Sequence, residues 1–338
     1  GLWTWNGRTA GWEAGEFMLL DRNNRITERA RQAGAIGQAA RRWRRELWNA
    51  DKAPSVGVLQ DWENEAMWAA MSVTGRDKYK SDPIRARIGA SRALINGNVP
   101  WEHVTARQLA DGLGPRYQTL LVPAFIALSA GLLDNLIAFV EQGGRVVMDL
   151  PSAYLDDFGR VLSTAQGSRF EKLFGVELNE YMYARKVNTT FHLEGIELEG
   201  FTMRVTPTTA KVIAKYTDRE DIGITENRLG KGTAVLLGAE ACTLCALPGQ
   251  EAMEALIRRL VLNGQQPGYA CEEAIVYRLA APQADHYFFV NEPNRKVSAS
   301  LKLAAPAGSA TDAVTGEAVD LQAIALQPES ARWIRVAR

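Results

Sequence analysis

The chain has 338 residues, of which 46% are hydrophobic, and its 39 basic side chains are balanced by 39 acidic ones. This balance gives no overall field to attract nucleic acid or anionic lipid, and the apolar runs are shorter than a membrane span. We therefore expect no nucleic-acid partner and no membrane partner, and a chain long enough to bury the cores of two or three compact units.

The first fifty residues have the pattern of one strand, one loop and one helix. Residues 2–6 are aromatic and strand-like, residues 8–17 form a polar loop punctuated by glycine, and Thr27 begins a helix that runs to about Trp48. The arginine-rich run at residues 41–46 is most simply the solvated face of that helix. One such unit cannot bury its faces alone, so we expect the remaining units of a larger fold upstream or on another chain.

The next part of the chain alternates between buried strands and amphipathic helices. Continuous apolar strands are predicted at residues 55–60, 119–125 and 145–150, and helices at residues 83–98 and 132–140. This alternation is typical of a doubly wound, flavodoxin-like α/β domain with helices on both faces of a parallel sheet.

The remaining sequence predicts the end of this domain and a second, smaller one. Residues 151–190 are less regular, except for a short helix that ends in "KLFGVE". Further strands and a closing amphipathic helix follow at residues 212–216, 222–227, 233–237 and 253–261. From about residue 269, short alternating strands predict a small antiparallel β-domain. The predicted domains are residues 1–50, 53–267 and 268–338.

Two short motifs suggest chemistry but are better explained by structure. "GKG" at residues 230–232 lacks the full phosphate-loop spacing and precedes a strand, so we interpret it as a hairpin turn. Cys242 and Cys245 have metal or redox spacing, but no second pair or nearby histidine completes a site. We expect two buried thiols, no metal and no cofactor. With only three cysteines, the sequence favours a reducing, cytoplasmic compartment.

The predicted α/β domain has the outline of a class I glutamine amidotransferase. That chemistry requires a cysteine on a strained turn after a strand of the sheet. No cysteine precedes Cys242, so the nucleophile is missing and we expect this domain to be non-catalytic. A degenerate amidotransferase-like regulator is therefore the weakest of the functional interpretations.

An acidic, tryptophan-rich segment, "DWENEAMW", follows the first buried strand, where open α/β sheets usually present functional loops. Two interpretations are equally supported. In the first, its carboxylates and tryptophans line a sugar or metal site. In the second, the tryptophans bury against a neighbouring domain while the acids stay in water. The residues concerned are Asp61, Trp62, Glu63 and Trp68.

The loop near the start of the chain, "GWEAGE", also combines aromatic and acidic side chains. Tryptophan faces stack on pyranose rings, and a carboxylate binds sugar hydroxyls through charge-assisted hydrogen bonds. A helix-capping carboxylate, or an ion pair with Arg8, explains Glu13 equally well. The candidate substrate-binding residues are Trp5, Trp12, Glu13 and Glu16.

The order of these parts resembles the family 42 glycoside hydrolases, the bacterial β-galactosidases. Those enzymes have a (β/α)8 TIM barrel, a flavodoxin-like trimerisation domain and a small β-domain. "VGVLQDWENEAMW" resembles the start of the trimerisation domain, "TLLVPAFIALSAGLLDNLIAFVEQGGRVVMDL" its central strand–helix–strand, "ITENRLGKGTAVLLG" its closing hairpin and "HYFFVNEP" the β-domain. The resemblance implies that residues 1–50 are the last strand, loop and helix of the barrel.

The resemblance also assigns roles to residues of the first loop. In the family, the eighth barrel strand ends in a Trp-Arg segment followed by Gly-x-Glu-x-x-His. Trp5, Gly11 and Glu13 match this pattern, which implies that Glu13 binds galactose hydroxyls. Asn6 and Glu16 stand where the family usually has Arg and His, so a carboxylate replaces a hydrogen-bond donor in the site.

The resemblance implies a retaining glycosidase whose two catalytic carboxylates come from the fourth and seventh barrel strands. Neither falls in this chain, which is therefore expected to contribute a substrate-contacting loop and an oligomerisation surface without hydrolysing glycosides alone. The expected partners are a β-galactoside-like substrate, the rest of the barrel and further copies in a homotrimer, with Trp62 and Trp68 near a neighbouring subunit's site. A non-catalytic carbohydrate-binding or assembly module is the alternative.

Overall fold

The computed structural model describes residues 18–71, 82–184, 191–305 and 308–338. Contacts between residues divide the chain into two compact units, and the predicted strand and loop at residues 2–17 lie outside the described residues. The first unit combines residues 18–52 with residues 271–338, and the second, the α/β unit, is residues 53–270. The N-terminal helices thus share a unit with the C-terminal residues, which the sequence analysis had treated as a separate domain.

Eight helices of the described residues carry the argument that follows. They are α1 (Glu28–Arg42), α2 (Arg44–Trp48), α3 (Trp62–Met71), α4 (Asp82–Asn96), α5 (Ala130–Glu141), α6 (Arg169–Phe174), α7 (Ala241–Cys245) and α8 (Glu251–Leu262). Three short helical turns, at Ala106–Gln108, Leu109–Leu113 and Gly114–Arg116, lie between α4 and α5. Within the described part of the chain, none of the helices combines the length and apolar character needed to cross a bilayer.

The α/β unit is organised around one seven-stranded sheet. Its strands are β1 (Val56–Gln60), β2 (Trp101–Thr105), β3 (Thr119–Val122), β4 (Arg145–Met148), β9 (Lys211–Lys215), β10 (Ile222–Leu229) and β11 (Gly232–Leu237). Four strands that follow β4 in the chain lie outside this sheet: β5 (Val176–Ala184), β6 (Phe191–Leu193), β7 (Ile196–Leu198) and β8 (Gly200–Pro207). The order in the sheet is β2-β1-β3-β4-β11-β10-β9. The first five strands are parallel to one another, β10 is antiparallel to β11, and β9 is antiparallel to β10. Counted along the chain, the parallel part has the order 2-1-3-4-5, which is the order of a flavodoxin-like fold.

The sheet buries both of its faces because alternate residues of its central strands point to opposite sides. Val58, Leu121 and Val147 belong to the apolar core on one face. Leu120 and Val146 belong to the core on the other. Helices α4, α7 and α8 contribute buried residues to the first core, and α5 and α6 to the second. The continuous apolar runs of the sequence are therefore central strands covered by helices, as predicted.

The C-terminal part of the first unit, residues 271–338, is called the β-domain below. Its strands are β13 (Ile275–Ala280), β14 (Ala284–Asn291), β15 (Val297–Ala299), β16 (Lys302–Leu303), β17 (Ala310–Asp312), β18 (Ile324–Leu326) and β19 (Ser330–Ala337), and β12 (Tyr269–Ala270) precedes them. Four of them form an antiparallel sheet in the order β13-β14-β19-β17, and β15 pairs with β18. These antiparallel pairs confirm the strand pattern predicted for this part.

Three features of the fold differ from the sequence-based expectation. Strand β2 was not predicted, because it lies at the sheet edge and its polar sequence "WEHVT" has no continuous apolar run. Strand β5 lies in the region expected to be less regular, and it pairs antiparallel with β8, which was not predicted. The predicted N-terminal helix is interrupted at Trp43, so that α1 and α2 are separate, although Thr27 caps α1 through its side chain as expected.

A glycine in α4 allows this helix to contact α7 closely. A methyl group on Gly89 would clash with the carbonyl oxygen of Cys242 and lie 2.6 Å from the backbone nitrogen of Ala246. We expect Gly89→Ala to lower the free energy of unfolding by about 1–3 kcal/mol, measured by urea denaturation, because backbone atoms cannot move aside easily. Gly131→Ala in α5, where nothing lies within 4 Å of the added methyl, is expected to be neutral or slightly stabilising. Equal effects of the two changes would contradict this account.

Candidate functional site

The acidic segment that follows β1 is a helix and not the loop predicted from the sequence. Asp61 immediately precedes α3, and the backbone N–H groups of Trp62, Glu63 and Asn64 donate hydrogen bonds to its carboxylate. An aspartate at this position accepts from N–H groups that have no partner within the first helical turn. Burial raises the pKa of Asp61, and these hydrogen bonds oppose the shift. The loop prediction is therefore wrong because Asp61 caps a helix.

The two tryptophans of this segment have opposite environments. Trp62 is 82% exposed, whereas Trp68 is 1% exposed and its indole N–H donates to the carbonyl oxygen of Ala124 at 3.2 Å. Helical spacing explains the difference, since positions six apart in a helix face different directions. The inclusion of Trp68 among residues available to a sugar or a neighbouring subunit is therefore wrong. Trp68 is a core residue of this chain.

A strained turn follows β3 at the same edge of the sheet. Ala124 has a φ of +50°, a left-handed conformation that is unfavourable for a residue with a Cβ. Its carbonyl oxygen accepts from Trp68 and from Asn64 Nδ2, each at 3.2 Å, and its N–H donates to Asp149 Oδ1 at 2.8 Å. Three side chains, two from α3 and one that follows β4, thus hold the backbone in this conformation, which is how local strain persists in a folded protein.

Asp149 links this turn to α7. It follows β4, is fully buried, and accepts from the N–H groups of Ala124 at 2.8 Å and Cys242 at 2.7 Å. Burial raises the pKa of Asp149 to about 7, although both backbone hydrogen bonds favour the ionised form. Asp149 therefore has a structural role, since both of its carboxylate oxygens bind backbone groups inside the chain.

The strained turn shares with a nucleophile elbow a left-handed residue soon after a strand, but it lacks the chemistry of an elbow. In hydrolases with this arrangement, a serine or cysteine occupies the sharp turn after a strand. Here the position belongs to Ala124, which is fully buried and whose carbonyl oxygen accepts from Trp68. Cys242 and Cys245 are both buried, as predicted, and burial raises the pKa of the Cys242 thiol well above its usual range. Among the described residues, no three His, Cys, Asp or Glu side chains are placed to hold a metal ion.

Exposed aromatic, apolar and acidic side chains lie along the outer side of this edge. We call this surface the rim and define it as Trp62, Glu63, Asp157, Phe158 and Val161. Phe158 is 74% exposed and Val161 is 84% exposed. The pKa of Glu63 is raised by partial burial and further by the negative charges of Asp61 and Asp157, which places the two acidic segments side by side. Exposed apolar side chains grouped in this way are typical of interaction surfaces.

The loop that carries Phe158 is held in place by Asp156. Its Oδ1 atom accepts from the N–H groups of Phe158 and Arg160, each at 2.9 Å. The Arg160 guanidinium lies 5.3 Å from the centre of the Phe158 ring, within the range of a cation–π contact. A groove of about 600 Å³ runs between this loop and the first turns of α5 and α6. This part of the rim was not predicted from the sequence. The available signal was the run "DDF" at residues 156–158, where two acidic residues precede an aromatic one within an irregular segment.

The predicted substrate-binding residues Trp5, Trp12, Glu13 and Glu16 lie outside the described residues. Their role stays a prediction. Of the second predicted group, Asp61, Trp62 and Glu63 lie together at the carboxyl end of β1, and Trp68 belongs to the core. The structure thus brings part of one predicted group to an accessible surface.

The fold and this edge define a flavodoxin-like α/β unit with a buried alanine at the turn after β3. Residues 54–264 match the family described as the β-galactosidase trimerisation domain. The chain belongs to this family, and the resemblance to family 42 glycoside hydrolases is confirmed.

Similar proteins point the same way. The chain is 24% identical to β-galactosidase GanA of Bacillus subtilis over 230 residues and 25% identical to β-galactosidase BgaB of a Geobacillus species over 235 residues. These matches cover 65% of this chain and only 33% and 32% of those proteins. A catalytic mutant of Gan42B, a GH42 β-galactosidase from G. stearothermophilus, matches 99% of this chain with a TM-score of 0.77 and 21% identity, and the match covers 48% of that protein. A β-galactosidase from Bacillus circulans sp. alkalophilus also matches with a TM-score of 0.77, at 15% identity, over 98% of this chain and 48% of its own. The chain therefore spans about a third of the curated relatives and about half of the solved structures.

Proposed function

We propose that this chain is the C-terminal portion of a β-galactosidase-like retaining glycoside hydrolase that acts on O-glycosyl bonds. The observation that carries the proposal is the family match over residues 54–264, together with structural similarity over 99% of the chain to a GH42 β-galactosidase. In this proposal the chain supplies a substrate-contacting loop and an oligomerisation surface. The three cysteines, which the structure gives as free thiols, agree with the proposed cytoplasmic location.

The exposed face of the N-terminal helices supports the proposal that another part of the enzyme packs there. Helix α1 has fifteen residues, of which only Ala39 is buried. Ile36 is 55% exposed and Trp48 is 89% exposed. A neighbouring strand and helix of a (β/α)8 barrel would cover such side chains, since every barrel helix packs on the adjacent ones. We propose that residues 1–50 are the last strand, loop and helix of that barrel, and that Trp5, Trp12, Glu13 and Glu16 face the sugar.

In this proposal catalysis depends on residues outside this chain. Retaining glycosidases require two carboxyl groups about 5–5.5 Å apart, one as the nucleophile and one as the acid/base. The carboxylates described at the edge of the α/β unit have other roles. Asp61 caps α3, and Asp149 is buried and accepts hydrogen bonds from two backbone N–H groups. We expect the chain alone to be inactive on nitrophenyl β-galactoside and the complete enzyme to hydrolyse it. No activity of the complete enzyme on any nitrophenyl glycoside would contradict the proposed reaction.

We further propose that the rim forms part of a homotrimer interface. Its aromatic members are the residue types that contribute most to binding energy when buried between proteins, and they are well exposed in the single chain. In a closed threefold ring each subunit uses two different patches, so the rim would meet another surface of the next subunit. An assembly module without a catalytic partner is the alternative, and the missing nucleophile at Ala124 favours it over an amidotransferase-like regulator.

Light scattering tests this interface. We expect a mass three times that of the 37.2 kDa chain, and a dissociation constant raised at least about tenfold by Trp62→Ala. The matched control is Tyr277→Ala, because this aromatic side chain is 46% exposed and belongs to the β-domain and not to the α/β unit that carries the rim. A monomer at micromolar concentration would contradict the proposed trimer. An unchanged dissociation constant for Trp62→Ala would show that the rim is not part of the trimer interface. The activity of the complete enzyme is measured separately, so that a failure of the proposed reaction can be told apart from a failure of the proposed assembly.

A further inference from the structure

Helix α2 and the preceding Trp43 are attached to the β-domain by an ion pair, a cation–π contact and a hydrogen bond. The Glu46 carboxylate accepts from Nε and Nη2 of Arg335, each at 2.8 Å. The Arg335 guanidinium lies 4.6 Å from the centre of the Trp43 ring, and the Trp43 indole N–H donates to the carbonyl oxygen of Ala313 at 3.1 Å. A bidentate, partly buried pair of this kind is among the stronger polar contacts.

His286 lies beneath this ion pair and is completely buried. Its Nδ1 atom is 3.1 Å from the indole nitrogen of Trp333, and its Nε2 atom is 3.1 Å from Glu46 Oε2. An indole nitrogen can only donate, so Nδ1 must accept and the single imidazole proton must sit on Nε2 and be donated to Glu46. The neutral ring therefore satisfies both of its nitrogens, and the two contacts determine its tautomer.

A second proton on His286 would be poorly accommodated. It would have to occupy Nδ1, where the N–H of Trp333 already points toward the ring. The negative charge of Glu46 is already shared with Arg335, which holds the pKa of Glu46 below its usual range. Among the described charges, the other nearby carboxylate is Asp285, which binds the Arg278 and Arg338 side chains and is adjacent to His286 in β14.

We propose that Glu46, His286 and Arg335 form a clasp that holds α2 on the β-domain at neutral pH and releases it on acidification. The clasp rests on the geometry of the neutral imidazole between a donor and an ion pair, and it does not depend on the proposed glycosidase reaction. After α2 in the chain, the backbone of Asp51 forms two hydrogen bonds with the backbone of Ala280, at 2.8 and 2.7 Å. These backbone bonds do not titrate, so release is confined to the residues that precede them.

The sign of the pH dependence follows from the environment of the ring. Burial lowers the pKa of His286, with Arg335 adding to the shift and Glu46 and Asp285 opposing it. A histidine with a lowered pKa stabilises the closed state above its free pKa of about 6.5, and this contribution is lost as the pH falls further. The opening equilibrium can rise by at most about tenfold for each pH unit between the two pKa values.

Hydrogen exchange on the complete chain tests the clasp. The amides of Leu47 and Asn49 donate to the carbonyl oxygens of Trp43 and Glu46, so their protection reports α2 directly. After correction for intrinsic exchange, we expect their protection to fall between pH 7.5 and pH 5, by at most about tenfold for each pH unit below about 6.5. In His286→Gln, whose amide keeps one donor and one acceptor but does not titrate, this fall should disappear. His192→Gln, in the α/β unit, is the matched control and should keep it.

A second variant covers the case in which His286→Gln does not fold. Trp333→Phe removes the N–H that faces Nδ1, so His286 can accept a proton more easily in the closed state. The difference in protection between pH 7.5 and pH 5 should then become smaller. Undiminished pH dependence in a folded His286→Gln protein, or in Trp333→Phe, would overturn the clasp, as would the absence of any acid-induced change in the unaltered chain.

Discussion

Trp68→Ala is expected to lower the free energy of unfolding by about 3–5 kcal/mol, as measured by urea denaturation of the complete chain. The ring is 1% exposed within the core on one face of the sheet, so its removal leaves a large cavity and discards most of the burial energy of the largest side chain. The carbonyl oxygen of Ala124 keeps a partner in Asn64, so the lost hydrogen bond adds only a small part.

Trp62→Ala provides the matched control for this expectation. Both tryptophans belong to α3, but Trp62 is 82% exposed, and its truncation should change the stability of the monomer by no more than about 0.5 kcal/mol. Trp68→Phe should fall between them, because the benzene ring refills part of the space. If the two alanine variants were equally stable, the assignment of Trp68 to the core would be wrong.

Asp149→Ala is expected to have an effect of similar size. The change removes the acceptor from the N–H groups of Ala124 and Cys242, which are inaccessible to water. Leaving a buried backbone donor unsatisfied costs about 1–3 kcal/mol, so the loss of stability should be about 2–6 kcal/mol by urea denaturation. Asp156→Ala is the control, because Asp156 also accepts from two N–H groups, at 2.9 Å each, in an exposed loop where water can replace it. Comparable losses in both variants would contradict the role of burial.

The same carboxyl group predicts a pH dependence of stability. Its pKa in the folded chain is raised to about 7, while the unfolded value is about 3.9. Between these values the folded state keeps a proton that the unfolded state has lost, so stability should fall as the pH rises from about 4 to about 7. Asp149→Asn cannot titrate and should remove this slope from the unfolding curve of the α/β unit. A slope that persists in Asp149→Asn would assign it to another group.

The layered core was predictable because its strands are short continuous apolar runs, and the helices between them repeat at helical spacing. The two tryptophans of "DWENEAMW" show where this reasoning stops. The acidic and aromatic composition of the segment led us to predict a functional role for both tryptophans. The segment is helical, however, so that one ring faces the core and the other faces solvent. Recognition of Asp61 as a helix-capping residue was the available clue.

Other features depend on contacts between distant positions and could not be derived from local patterns. The left-handed conformation of Ala124 is maintained by side chains from α3 and by Asp149, and nothing in "LVPAF" requires it. The clasp joins Glu46 to residues of the C-terminal strands, and its histidine has no local motif. Edge strand β2 is half exposed, and its mixed polar sequence hides its place in the sheet. In each case tertiary contacts determine what propensity leaves open.

The buried alanine at the end of β3 also limits how this domain can evolve. A cysteine at position 124 would lie in a buried turn whose N–H binds Asp149 and whose carbonyl oxygen binds Trp68. To gain hydrolytic chemistry at this turn, the domain would have to expose the turn to substrate, supply a base and preserve the left-handed backbone, all at once. Exposing the turn alone would disturb the packing of Trp68 without bringing a nucleophile and a base together.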